Sequence, residues 1–166
     1  MASTTVHQEY VKQVNSYVLG ENQCPFSDPP QRAQDSYSRE DFQKKAGIAS
    51  GEPWCVGFVR YGADEADQIK GTKNILPKTA SSQELWRLTP ESARSSTPKE
   101  GYVAVWQWRD DAGNPTGKGH VGVVAKTDPN VPGIFETREG NTKAEGSDDV
   151  VRGDSGCIHT RTRKLN

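Results

Sequence analysis

Four residues carry types and spacing that suit nucleophilic chemistry on a carbonyl: Cys55, His120, Glu139 and Asn141. Cys55 follows Pro53-Trp54, where a loop gives way to the apolar run Val56-Gly-Phe-Val59 and a buried helix is expected to begin. A cysteine at a helix N-terminus meets unpaired N–H groups and a partial positive charge, which favour thiolate over thiol. Its own backbone N–H is placed to donate to an oxyanion. The plain alternative is a structural cysteine in an apolar helix, and the position at the helix start argues against it. His120 opens a strand after Gly117-Lys-Gly119 and is the natural base for a thiol. A lone histidine at a loop edge is more commonly a surface residue; this one gains weight from the candidate nucleophile. Glu139 and Asn141 close a third strand in Arg138-Glu-Gly-Asn-Thr142. A spacing of two puts both on one face if the strand continues, and either can hold the imidazole in one tautomer. Gly140-Asn141 is also ordinary turn chemistry.

The remaining candidates are weaker. Cys157 and His159 form a competing pair on a possible strand, but no helix start precedes them and no third polar group accompanies them. They read as structural. Cys24, in Asn-Gln-Cys-Pro, and His7, on the polar side of the first helix, have no partner that the sequence names. Three widely spaced cysteines without a CxxC pair argue against a disulfide framework and against a structural zinc site.

The elements that must position these residues fall into two halves. Apolar residues at Val6, Tyr10, Val14 and Val18 predict a helix over 3–19, capped by Ser3 or Thr4 and ended by Gly20. Residues 20–37 read as a proline-rich loop. Ser38-Arg-Glu-Asp41 is a capping box for a short helix to Ala46, with Gly47 as its stop. The Cys55 helix follows, then a loop over 71–80, a short helix over 81–88, and a loop over 89–100. After that the period becomes two. Strands are expected over Tyr102–Trp108, His120–Ala125 and Ile134–Glu139, with polar turns at Asp110–Gly119 and Asp128–Gly133. Val150–Arg152 and Cys157–Arg163 are possible edge strands. Helices followed by a meander indicate an α+β fold with an antiparallel sheet.

The chain of 166 residues suits one domain, 1–166, with a net charge of −1 that argues against a nucleic-acid binder. The hydrophobic fraction of 32% and mean hydropathy of −0.84 are low, but balanced charge and large aromatic residues favour a small core under wide polar loops over disorder. No apolar run is long enough to span a bilayer, and the N-terminus lacks a basic region followed by an apolar stretch. A chain made in the cytoplasm without a secretory signal is therefore expected.

Pro53-Trp54-Cys55-Val56-Gly57-Phe58-Val59 resembles the nucleophile motif of the CHAP domain, the cysteine, histidine-dependent amidohydrolase/peptidase family, with Val56 in place of the usual small residue. Pro98–Trp106 resembles the family's Gly-Asp-hydrophobic strand, although Tyr102 stands where aspartate is common. Gly119-His-Val-Gly-Val-Val124 and Glu139-Gly-Asn-Thr142 match the histidine and Glu-Gly-Asn segments, in the family's order. The resemblance covers about residues 50–145, with 1–49 as a helical N-terminal part of the same domain.

The resemblance implies a compact papain-like fold of the NlpC type, with N-terminal helices on a central antiparallel sheet. It implies a cysteine hydrolase of peptidoglycan amide bonds, either an N-acetylmuramoyl-L-alanine amidase or a stem-peptide or cross-bridge endopeptidase. Cys55 would be the nucleophile, His120 the base, and Glu139, ahead of Asn141, the group that orients it. Some relatives bind calcium through an Asp-rich loop before the cysteine; Asp28 and Asp35 lack that spacing, so no metal and no other cofactor is expected. The lack of a secretory signal suits a phage endolysin or an effector passed between bacteria, acting as a monomer in the periplasm or cell wall. An effector would have an immunity protein as partner; neither nucleic acid nor membrane insertion is expected. The rival readings are a cysteine protease or deamidase acting on a protein target, and a non-catalytic structural component with the same fold. Substrate choice is expected in the loops 20–37, 62–82 and 109–118, with Trp54, Trp106 and Trp108 as candidate lining residues or core.

Overall fold

The computed structural model describes residues 4–20, 37–74, 76–147 and 151–165. Among the described residues four α-helices come first: α1 (Val6–Ser16), α2 (Arg39–Ala46), α3 (Cys55–Lys70) and α4 (Ser82–Leu88). Four strands follow: β1 (Val103–Arg109), β2 (Pro115–Thr127), β3 (Ile134–Thr142) and β4 (Cys157–Lys164). They form an antiparallel meander in the order β1-β2-β3-β4, so the chain has the α+β fold expected of it.

Local signals account for most element ends. Thr5, not Ser3 or Thr4, caps α1: its hydroxyl accepts from the Gln8 N–H at 3.1 Å, and the Gln8 side chain accepts from the Thr5 N–H at 2.9 Å. The helix stops at Ser16, short of Gly20, because Tyr17 turns extended and Leu19 pairs with Tyr37 in an isolated parallel bridge. Asp41 accepts from the Ser38 N–H at 2.8 Å, closing the box that opens α2. A single 3-10 turn over Glu91–Ala93 interrupts the loop after α4. β2 begins earlier than its sequence suggests. The expected turn at 110–119 contracts to 110–114, because Pro115 already pairs with Arg109. Of the possible edge strands, Val151 and Arg152 are not in a strand, Val150 lies outside the described residues, and 157–164 is β4.

α3 is the central helix, packed on α1, α2 and the β2–β3 face. Its contact with α2 is close enough that a Cβ at Gly57 would lie 2.0 Å from the Phe42 carbonyl oxygen. Large side chains make up for the low apolar fraction. Tyr17, Phe42, Trp54 and Phe58 are fully buried, and Phe42 stacks on Trp54 at 5.3 Å. Trp54 is therefore core, and not a lining residue of a cleft. Arg138 is buried beside them: its guanidinium donates to the carbonyls of Val14 (3.3 Å) and Tyr17 (2.9 Å) at the C-terminal end of α1 and to the Thr160 hydroxyl at 3.1 Å. A cation there meets carbonyls at the negative end of the helix dipole.

The cysteine chemistry differs from expectation. Cys157 is disulfide-bonded and Cys55 is the free thiol among the described residues. The wide spacing and odd number that argued against a disulfide are no barrier, because residues distant in sequence become neighbours once the chain folds. Cys24, Asp28 and Asp35 lie outside the described residues. Among the described residues, no helix is long and apolar enough to cross a membrane, and no His/Cys/Asp/Glu cluster has the make-up of a metal site.

Candidate active site

Cys55 is the first residue of α3, and the preceding Trp54 offers no side-chain cap. The N–H groups of the first turn therefore have no partner within the helix and point past Cys55. Helix α3 lies against β2 and β3, and this packing brings the cysteine to His120. The thiol lies near enough to the imidazole to raise its proton affinity. His120 Nε2 lies 2.9 Å from Glu139 Oε1. Nε2 is thus committed to the carboxylate, which leaves Nδ1 for the cysteine. Three elements supply one relay: α3 the thiol, β2 the imidazole, β3 the carboxylate.

The three groups are shielded from water. Cys55 is 7% exposed, His120 8% and Glu139 0%. Burial alone would disfavour the imidazolium, but the contacts with Cys55 and Glu139 outweigh it and raise the His120 pKa to about 9. For Glu139, burial favours the neutral acid, and hydrogen bonds and charge from His120 and Arg163 overcome this. Its carboxyl is held well below the usual carboxylate range. The site is therefore built to keep an imidazolium–carboxylate pair in a dry environment.

Glu139 is the most heavily bonded side chain in the site. Arg163 of β4 grips it with both arms of the guanidinium, Nε to Oε2 at 2.8 Å and Nη2 to Oε1 at 2.6 Å. The Thr137 hydroxyl donates to Oε2, and the Thr142 hydroxyl donates to Oε1 at 3.1 Å. The strand opposite makes room for it: a Cβ at Gly122 would stand 2.7 Å from Glu139 Cγ. Trp106, paired with His120 across β1 and β2, has its ring 5.8 Å from the imidazole, and the Arg163 guanidinium lies over the same ring at 4.6 Å.

Asn141 is placed differently. The β3–β4 register slips between Glu139 and Thr142, and Asn141 takes φ 53°, a left-handed conformation that asparagine tolerates better than most residues. Its amide donates to the Gly153 carbonyl and accepts from the Gly156 N–H, both at 3.0 Å. The irregularity thus turns Asn141 toward the 153–156 loop, and the same slip lets Thr142 reach back to Glu139. Same-face placement, expected from a spacing of two, fails because the strand does not stay regular.

Other expected residues fall elsewhere. Trp108 is half-buried on β1. His159 is buried on β4 in register with Glu139. His7 packs its ring 5.6 Å from Tyr102, at the edge of a cavity of about 480 Å³ between α1, α3, α4 and β1 that none of Cys55, His120 and Glu139 lines. Of the expected substrate loops, 62–70 is the second half of α3, 115–118 belongs to β2, and 21–36 lies outside the described residues. Arg163, Thr137 and Thr142 are the site residues that sequence reasoning missed. The one available signal was alternation: Thr137 and Glu139 share a strand face.

Compared with known families, the chain matches the family model of the CHAP domain over residues 47–141, more than half its length. The chain belongs to the CHAP family, whose members are cysteine, histidine-dependent amidohydrolases and peptidases, commonly acting on peptidoglycan. No curated protein and no solved structure matches it.

Proposed function

We propose that this protein hydrolyses an amide bond of bacterial peptidoglycan, with Cys55 as nucleophile, His120 as acid and base, and Glu139 as the group that orients and charges His120. The carrying observation is that Cys55, at the uncapped N-terminus of α3, neighbours His120, whose Nε2 lies 2.9 Å from Glu139 Oε1.

In this reading Cys55 and His120 share one proton that rests on the imidazole, and the thiolate attacks the amide carbonyl. The oxyanion forms beside the first N–H groups of α3, that of Cys55 foremost, where the positive end of the helix dipole stabilises the new charge. His120 then returns its proton to the departing amine as the C–N bond breaks and a thioester remains. A water molecule gives one proton to neutral His120 and its hydroxyl to the thioester, the C–S bond breaks, and a carboxylic acid leaves, ionising in solvent, with the Cys55 thiolate and the His120 imidazolium restored. Glu139 stays ionised throughout and holds the ring in position. Asn141 serves the backbone of the 153–156 loop.

The place of action that fits is the periplasm or cell wall, reached by lysis in a phage endolysin or by delivery in an interbacterial effector. The disulfide at Cys157 supports exposure to an oxidising compartment. The test is incubation of the purified protein with sacculi, followed by mass analysis of the products. New amino or carboxyl ends in the soluble fragments are expected, and Cys55→Ala should remove them. Intact sacculi beside a cleaved or deamidated protein target would transfer the chemistry to that rival substrate. Release of fragments by Cys55→Ala would overturn the catalytic assignment.

A further inference from the structure

Glu139 is fully buried and carries, besides the hydroxyls of Thr137 and Thr142, two cationic partners of opposite consequence. His120 takes one oxygen, and Arg163 takes both. The groups that bear charge or titrate around His120 come one from each packed element: Cys55 from α3, Glu139 from β3 and, through Glu139 and the shared Trp106 ring, Arg163 from β4. Trp106 of β1 adds an aromatic face.

A buried carboxylate with His120 as its sole cationic neighbour would oppose loss of the imidazolium proton, since deprotonation would leave the anion uncompensated. Yet the reaction proposed above needs His120 in both states, as imidazolium to protonate the amine and as imidazole to activate water. A bidentate guanidinium that is always charged supplies the missing compensation.

We propose that Arg163 is a positioning residue that fixes Glu139 and offsets its charge, so that His120 can cycle between imidazolium and imidazole. The proposal rests on the Cys55–His120–Glu139 reading. It separates two roles by sign. If Arg163 only aligned Glu139, its loss would weaken the carboxylate's hold and make the imidazolium easier to deprotonate. As a counter-charge, its loss makes the imidazolium harder to deprotonate.

The experiment is a pH titration of the histidine ring nitrogens by NMR in the full chain, with the His120 signals assigned against His120→Ala. Arg163→Met keeps a stem to cover Trp106 and removes the charge. Its His120 titration is expected to move up by about one pH unit or more, and Arg163→Lys should move it less. An unchanged or lowered titration in folded Arg163→Met overturns the proposal. If that variant fails to fold, Glu139→Gln and Glu139→Gln/Arg163→Met leave no buried anion to compensate. The double variant should titrate higher than the single one, and equal titrations overturn the proposal. Cys55→Ala tests the underlying reading separately: a His120 titration that it leaves unchanged breaks the cysteine–histidine pair without bearing on Arg163.

Discussion

Folding stability should fall as pH rises through the range in which His120 loses its proton. In the folded protein the His120 pKa is raised from 6.5 to about 9, because contacts with Cys55 and Glu139 outweigh the burial that opposes the charge. In the unfolded chain those contacts are gone. A group whose folded value is raised binds its proton more tightly in the native state. Its contribution is complete below the unfolded value of 6.5 and is lost as pH climbs to about 9. At about 1.4 kcal/mol per pH unit the loss is about 3 kcal/mol, a large part of a typical domain's stability. The perturbation is His120→Asn, which fits the space without titrating. Urea unfolding of both chains at steps between pH 5.5 and 10 isolates the effect, since the other titrating groups are common to both. The wild type should lose about 3 kcal/mol more than the variant over this range. Parallel curves would show that His120 is not held protonated in the native state, and would refute the electrostatic account of the site.

Other expectations follow from the same contacts. Glu139 has its folded pKa depressed, so its contribution is present above the unfolded value of 4.5 and disappears as pH falls below it; Glu139→Gln should flatten acid unfolding between pH 5 and 3, read by circular dichroism. Gly122→Ala sets a methyl 2.7 Å from Glu139 Cγ and should cut the rate of sacculus digestion by at least about tenfold with the fold intact, and a wild-type rate would mean the carboxylate need not stay where it is. Asn141→Ala removes two hydrogen bonds to the 153–156 loop and should cost about 1–3 kcal/mol in urea. Its Cys55 alkylation rate with iodoacetamide should stay within a few-fold of wild type, and a collapse of that rate would make Asn141 part of the relay. Arg138→Met leaves the Val14 and Tyr17 carbonyls short of a buried donor and should lower stability by about 2–3 kcal/mol, measured by urea unfolding.

The candidate residues were legible because a helix start and two apolar alternations are written in the local sequence around them. Cys55 follows Pro53-Trp54 at a helix start, and His120 heads the apolar run Val121–Ala125, although β2 itself already begins at Pro115. Helix and strand periods are short-range properties, so the α+β order and most of the boundaries could be read without a structure. Glu139 and Asn141 were equivalent on that basis, two apart near a strand end. The register slip after Glu139 decided between their positions, and its cause lies in pairing with β4.

What the sequence by itself determined is therefore which elements carry the candidate groups: a thiol at a helix N-terminus, an imidazole on one strand, and Glu139 and Asn141 on the next. The tertiary structure alone decided how the carboxylate is held. Arg163 lies 24 residues beyond Glu139 and reaches it only because β4 runs antiparallel beside β3. The disulfide at Cys157 and the Arg138 contacts with the end of α1 are equally non-local. The physical reason is the same in each case. Periodicity and capping are set by neighbours a few residues away, whereas neutralising a buried charge takes whichever partner the packing delivers.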